Sequence, residues 1–223
     1  RIATVEPTRY PMAGMPSHKV EVGVYNPSTQ KTIFLETGDP TDRFFTNISW
    51  APDEKTIYLI EVNRDQNHAK LNQFNADTGK FIKTLYEETH PKYVEPQNPI
   101  LFLPWDNEQF IYQSEKDGFN HLYLFNTSGK LIRQLSQGDW LVQSIVGFNN
   151  KRKEVIVTTT KYSPLQSNTL AISTRNGNIR SLDNQEGVHY PQLSHSGEYI
   201  LDTYSSPTTP KNIDIINVKT TKA

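Results

Sequence analysis

Two carboxylates stand side by side at Glu87-Glu88. Such a pair can clamp an ammonium group through charge-assisted hydrogen bonds. The same pair also reads as an exposed strand end running into Thr89-His90-Pro91. A hydrolytic serine needs a different pattern, Gly-x-Ser-x-Gly on a strand-to-helix turn with Asp and His later in the chain. None of the eleven Gly residues brackets a Ser in that way, and the six His are scattered among strand-like runs and turns. No Cys is present, which excludes disulfides, thiol catalysis and Cys-based zinc sites. No His-x-His, His-Glu-x-x-His, calcium-loop or phosphate-loop spacing occurs, so neither a metal nor a cofactor is expected. Lys151-Arg152-Lys153 reads as a basic hairpin tip facing solvent. By itself this segment is expected to catalyse nothing.

The elements that would position these groups are strands. Eleven Tyr, ten Phe and three Trp in 223 residues, with plentiful Thr and Asn, suit strands and turns better than helices. The clearest stretch is Ser114-Glu115-Lys116-Asp117-Gly118-Phe119-Asn120-His121-Leu122-Tyr123. Gln109–Gln113 leads in as a strand, Asp117-Gly118 turns, and His121–Phe125 leads out. Asn126-Thr127-Ser128-Gly129 then turns again before Lys130–Leu135. The turn glycines Gly79, Gly129 and Gly177 recur about every 50 residues, and inner turns at Asp53, Asp106-Asn107, Asn150 and Ser196 keep a similar step. A four-stranded unit repeating every ~40–50 residues marks propeller blades.

The fold expected is therefore all-β, a β-propeller segment of about four to five blades of four-stranded antiparallel sheet. Residues 1–40 would be a half blade and the end of an arm, with blade repeats at 44–90, 99–139, 144–187 and 191–223. Net charge is −1, so no global field draws the chain to nucleic acid. No window approaches the roughly 18 apolar residues of a membrane span, and no membrane contact is expected. The chain begins at Arg1 without a Met and reads as a piece of a longer protein, so the missing signal peptide is silent about compartment. The sequons Asn47-Ile48-Ser49 and Asn126-Thr127-Ser128 would matter only in a glycosylating pathway.

Several stretches, taken in order, resemble the N-terminal propeller of the dipeptidyl-peptidase IV family. They are Arg9-Tyr10-Pro11-Met12-Ala13-Gly14, Val22-Gly23-Val24-Tyr25, Ser49-Trp50-Ala51-Pro52-Asp53 and Asn63-Arg64-Asp65-Gln66-Asn67. Tyr93-Val94, the Ser114–Tyr123 stretch, Trp140-Leu141-Val142 and Ser205-Ser206-Pro207-Thr208-Thr209-Pro210 continue the series. The likeness is closest to bacterial members, including prolyl tripeptidyl peptidases. It implies the later half of an eight-bladed propeller, with a catalytic α/β-hydrolase domain lying outside this chain. It implies an exported protein, of the bacterial periplasm or cell surface, that releases short N-terminal peptides after proline. The family's amine-binding glutamates precede the Arg-Tyr-Pro segment, which argues against Glu87-Glu88 in that role.

The resemblance also nominates residues. The loop after the Tyr93-Val94 position would reach toward the substrate cavity, which makes Tyr93, Glu95 and Asn98 candidates. The family often has an Arg there, and this sequence has none; a plain inter-blade connection is the competing reading. Arg64, Gln66, Asn67, Asp117, Gly118 and His121 belong to family motifs that hairpin chemistry explains as structural. The implied partners are the protein's own catalytic domain, the missing blades and proline-containing peptides. A homodimer is also implied, through an arm whose returning end is Ile2 to Tyr10. The alternative is a stand-alone propeller scaffold that binds protein or glycan, since propellers host many functions.

Overall fold

The computed structural model describes residues 3–7, 9, 12–183 and 186–222. Ile2, Tyr10 and Pro11, invoked above for the arm and the Tyr-Pro segment, lie outside the described residues. No helix occurs among the described residues, and the chain is built of seventeen strands. The first pair, β1 (Gly23–Asn26) and β2 (Lys31–Phe34), forms a two-stranded sheet. Three four-stranded antiparallel meanders follow. They are β3 (Arg43–Trp50) to β6 (Phe81–Thr89) through β4 (Thr56–Asn63) and β5 (His68–Asn75), β7 (Leu101–Leu103) to β10 (Leu131–Gln134) through β8 (Asp106–Ser114) and β9 (His121–Asn126), and β11 (Val142–Asn149) to β14 (Ile179–Ser181) through β12 (Glu154–Thr159) and β13 (Asn168–Ser173). A three-stranded sheet closes the series, β15 (Val188–Leu193), β16 (Tyr199–Ser206) and β17 (Thr209–Asn217).

Side-chain alternation explains why the sheets stack face to face. In β4, Ile57 and Leu59 pack back against the first sheet with Leu35 and Phe74. Tyr58, Ile60 and Val62 on the other face meet Phe110, Tyr112, Tyr123 and Phe125 of the next sheet. Within β8 and β9, Ile111, Leu122 and Leu124 face forward to Val155, Val157, Leu170 and Ile172. Ile156 and Ala171 then face Ile200 and Ile216 of the last sheet. Middle strands buried on both faces read as continuous apolar runs, because each face has its own neighbouring sheet to cover it. The arrangement is a segment of a β-propeller.

Three details differ from the sequence reading. The inner turn of the second full sheet falls at Pro104-Trp105, since Leu103 pairs with Asp106, and Asp106-Asn107 opens β8. Asp106 is occupied otherwise, its carboxylate accepting from the Glu108 amide at 2.9 Å and from Gln109. Asp117-Gly118 lies in a longer loop, 115–120, between β8 and β9, with Ser114 opposite His121. The strand expected over Lys19–Tyr25 is ordered as strand only from Gly23.

Gly79 shows why one turn demands glycine. Its φ is +75°, and a Cβ there would sit 2.2 Å from the Phe34 carbonyl oxygen. The Glu36 amide donates to the Gly79 carbonyl at 2.8 Å, fastening the two-stranded sheet to its neighbour.

Candidate functional site

The two ends of the strands are unlike. One end carries compact turns at 51–55, 76–80, 104–105, 127–130, 150–153 and 174–178. The other carries the long connections 90–100, 135–141 and 160–167 with the loops 64–67 and 115–120. The connection 90–100 is the longest of these, and its course is pinned by the hairpin loop before it. Asn63 accepts from the Asn67 and His68 amides at 3.0 and 2.9 Å, and its own amide donates to Asn67 Oδ1 at 2.8 Å. With its side chains so engaged, that hairpin loop presents carbonyls outward. The His90 amide donates to Asn67 O at 3.0 Å and the Val94 amide to Gln66 O at 2.7 Å. His90 Nδ1 accepts from the Lys92 and Tyr93 amides at 3.1 and 3.3 Å, and Val94 is buried in the core.

Tyr93 is therefore held between two fixed points with its side chain 54% exposed. It borders a cavity of about 250 Å³ shared with Glu88, Glu95, Glu115, Lys116 and Gly118. Asn98 goes elsewhere. Its amide donates to Gln113 Oε1 at 2.6 Å, and Gln113 donates to the Val142 carbonyl at 3.2 Å. The structure thus brings Tyr93 and Glu95 together and ties Asn98 into the strand packing. Nor do Glu87 and Glu88 form a clamp, because adjacent strand residues point to opposite faces. Glu87 pairs with His68 at the surface at 2.7 Å, while Glu88 is only 9% exposed.

Glu88, weighed in the sequence only as half of an ammonium clamp, lines this cavity by itself. It accepts from the Ser114 hydroxyl at 2.8 Å. Burial raises its pKa above the usual carboxylate range, although Ser114 and the Lys116 charge oppose the shift. Lys116 lies 3.9 Å from the Tyr123 ring centroid and 5.3 Å from that of Tyr86, a cation–π arrangement. Burial lowers its pKa, against the pull of Glu88 and Asp117. The Tyr86 hydroxyl is pushed up to about 12, by burial first and by Glu88 second. Lys116, in the loop after β8, and Glu88, on β6 of the preceding sheet, are 28 positions apart in sequence. No local pattern could have joined them.

The motif residues make structural contacts. Arg64 donates to the Met15 carbonyl at 2.7 Å and faces Asp42 at 3.5 Å. Asp117 accepts from Gln134, and the Gly118 amide donates to Glu115 O at 2.8 Å with φ at +101°. His121 is fully buried, with Nε2 against the Gly138 carbonyl at 2.9 Å and Nδ1 against Ser136 Oγ at 3.0 Å. A carbonyl can only accept, so Nε2 carries the proton and donates. The ring meets Trp140 edge-on at 4.9 Å. A second buried histidine, His189, lies 2.6 Å from Asp202 and stacks on Tyr204. It is shut away from solvent, as a structural His is. No group of three potential metal ligands occurs among the described residues.

Stacked four-stranded meanders with their long loops gathered at one end define the class, a β-propeller of the kind that presents a loop-bearing face. The sequence profile described as "Dipeptidyl peptidase IV (DPP IV) N-terminal region" matches residues 2–211, and the chain belongs to that family. A crystal structure from Bacteroides ovatus, of a protein assigned as a dipeptidyl aminopeptidase IV, is 52% identical with a TM-score of 0.91. That likeness covers all of this chain and 34% of the other. Porphyromonas gingivalis dipeptidyl peptidase 4 gives a TM-score of 0.84 at 25% identity, over 96% of this chain and 30% of its own. Among curated relatives, the probable dipeptidyl peptidase 4 of Emericella nidulans is 27% identical over 91% of this chain. The inactive dipeptidyl peptidase 10 of Rattus norvegicus is 24% identical over 70% of it. The chain spans 28% of the length of the first and 21% of the second.

Proposed function

We propose that this chain is the non-catalytic propeller portion of an exported serine exopeptidase that releases short N-terminal peptides after proline. Its loop-bearing end admits and orients the peptide, and the catalytic domain supplies the chemistry. Export to a bacterial periplasm or cell surface, and pairing through an arm, are parts of the same reading. The observation that carries it is Tyr93, exposed at the cavity while backbone hydrogen bonds on either side fix its position. An aromatic ring held that way offers an apolar face to a substrate at little entropic cost. Glu95 beside it adds a carboxylate for a polar or cationic group of the peptide.

The test is hydrolysis of Gly-Pro and Ala-Ala-Pro chromogenic substrates by the full-length protein. Tyr93→Ala is expected to lower kcat/KM about three- to tenfold, roughly 1 kcal/mol, mainly through KM. Unchanged kinetics in both Tyr93→Ala and Glu95→Gln would remove this loop from substrate recognition. A relative named as inactive, the Rattus norvegicus protein, favours a second reading, a propeller scaffold that binds protein or glycan without turnover. Failure of the full-length protein to cleave either substrate would put that reading first.

A further inference from the structure

One part of the compact-turn end, the turns 150–153 and 174–178 with β10 beside them, gathers positive charge in a chain whose net charge is −1. Two cavities of about 360 and 350 Å³ lie there and share Arg175 on their walls. The first is also lined by Arg152, Arg180 and Glu154, and the second by Arg133, Lys153 and Trp105. Five cations therefore face one carboxylate. That carboxylate is fully engaged, with Arg180 reaching both its oxygens at 3.0 and 2.7 Å and Arg152 Nε at 3.0 Å. Burial would raise the Glu154 pKa, but the two guanidiniums outweigh it and hold it below the usual range. Lys153 lies 4.7 Å from the Trp105 ring centroid. Arg133 and Arg175 are exposed and have no hydrogen-bond or ion-pair partner among the described residues.

The placement follows from blade stacking. The turn 174–178 leans onto the end of β10, where a Cβ on Gly177 would lie 3.9 Å from the Gln134 carbonyl oxygen and 3.5 Å from that of Leu135 just beyond it. This brings Arg175 beside Arg133 across the seam between two sheets, while on its own sheet it shares the other cavity with Arg152. The basic tip Lys151-Arg152-Lys153, expected to be merely solvated, is instead committed. Lys151 pairs with Glu198 at 2.6 Å, Arg152 with Glu154, and Lys153 with Trp105.

We propose that these adjoining cavities bind a ligand carrying two oxyanion groups, with Arg175 shared between them. Guanidinium forks match phosphate, sulfate and carboxylate oxygens, and two linked anions gain from simultaneous engagement. Phosphoesters and sulfated saccharides share this chemistry. The low net charge and the concave seam fit a compact oligoanion rather than a broad nucleic-acid or membrane surface.

The test is titration calorimetry of the full-length protein at low salt with inorganic phosphate, inorganic pyrophosphate and a disulfated disaccharide. At least one bis-anion is expected to bind about tenfold or more tightly than phosphate, and to weaken as salt screens the charges. Preference for pyrophosphate points to a phosphoester ligand, and preference for the disaccharide to a sulfated glycan. Arg175→Ala, at an exposed turn position, should abolish the bis-anion advantage, whereas Lys211→Ala, also exposed, removes the same charge and should preserve it. Equal weak binding of all three probes, no binding, or an unaltered Arg175→Ala variant would overturn the proposal.

Discussion

The Glu88 carboxyl is held at a cost to its charged form. Burial raises its pKa above the reference 4.5, so the folded state binds its proton more tightly than the unfolded state does. The stabilisation from that protonated form is complete below pH 4.5 and is lost as pH rises through the raised folded value. At neutral pH the buried charge is therefore a net burden. Glu88→Gln is expected to raise Tm by a few degrees at pH 7, with the gain vanishing below the reference pKa, as thermal unfolding across that range would read. A Tm lowered at pH 7 would mean that the Ser114 hydrogen bond and the Lys116 charge outweigh the desolvation. His121 tests the opposite kind of residue, a buried polar group with both ring nitrogens satisfied. His121→Ala should cost on the order of 3 kcal/mol, combining a cavity against Trp140 with two orphaned partners, measured as a shift in the urea midpoint.

At the scale of elements, turns differ in what they demand of glycine. Gly79 needs both a positive φ and the absence of a Cβ, because the Phe34 carbonyl lies against it. Gly118 needs only the positive φ, since nothing lies within 4 Å of a Cβ there. Gly79→Ala should therefore destabilise by more than about 2 kcal/mol, and Gly118→Ala by about 1 kcal/mol. Equal losses in chemical denaturation would mean that the first sheet adjusts freely around the turn. The hairpin loop 64–67 shows the same economy of position. Its motif residues do not line the cavity beside Tyr93, yet the carbonyls of Gln66 and Asn67 set the course of the loop that does.

For the whole molecule, the long-loop end and the compact-turn end are separated by the length of the strands, so substitutions at the two ends should act independently. Tyr93→Ala is expected to change peptide turnover and leave pyrophosphate affinity unaltered, a pairing of kinetics with calorimetry that would expose any coupling. The sequence by itself determined the fold. Turn chemistry at Gly79, Gly129 and Gly177 repeated at blade spacing, and apolar runs such as Thr56–Val62 required cover on both faces. Local physics sufficed there, because turn residues and strand periodicity report on neighbours a few positions away. Tyr93 and Glu95 could be named from the sequence as candidates only through a recognisable motif position at Tyr93-Val94, and the structure adds that both line one cavity. Only the tertiary structure decided that Asn98 turns to Gln113, that Glu88 accepts from Ser114 of the next sheet, and that Arg175 lines one cavity with Arg133 and another with Arg152. Those meetings depend on how one blade is rotated against the next, and that rotation is set by the packing of whole sheets.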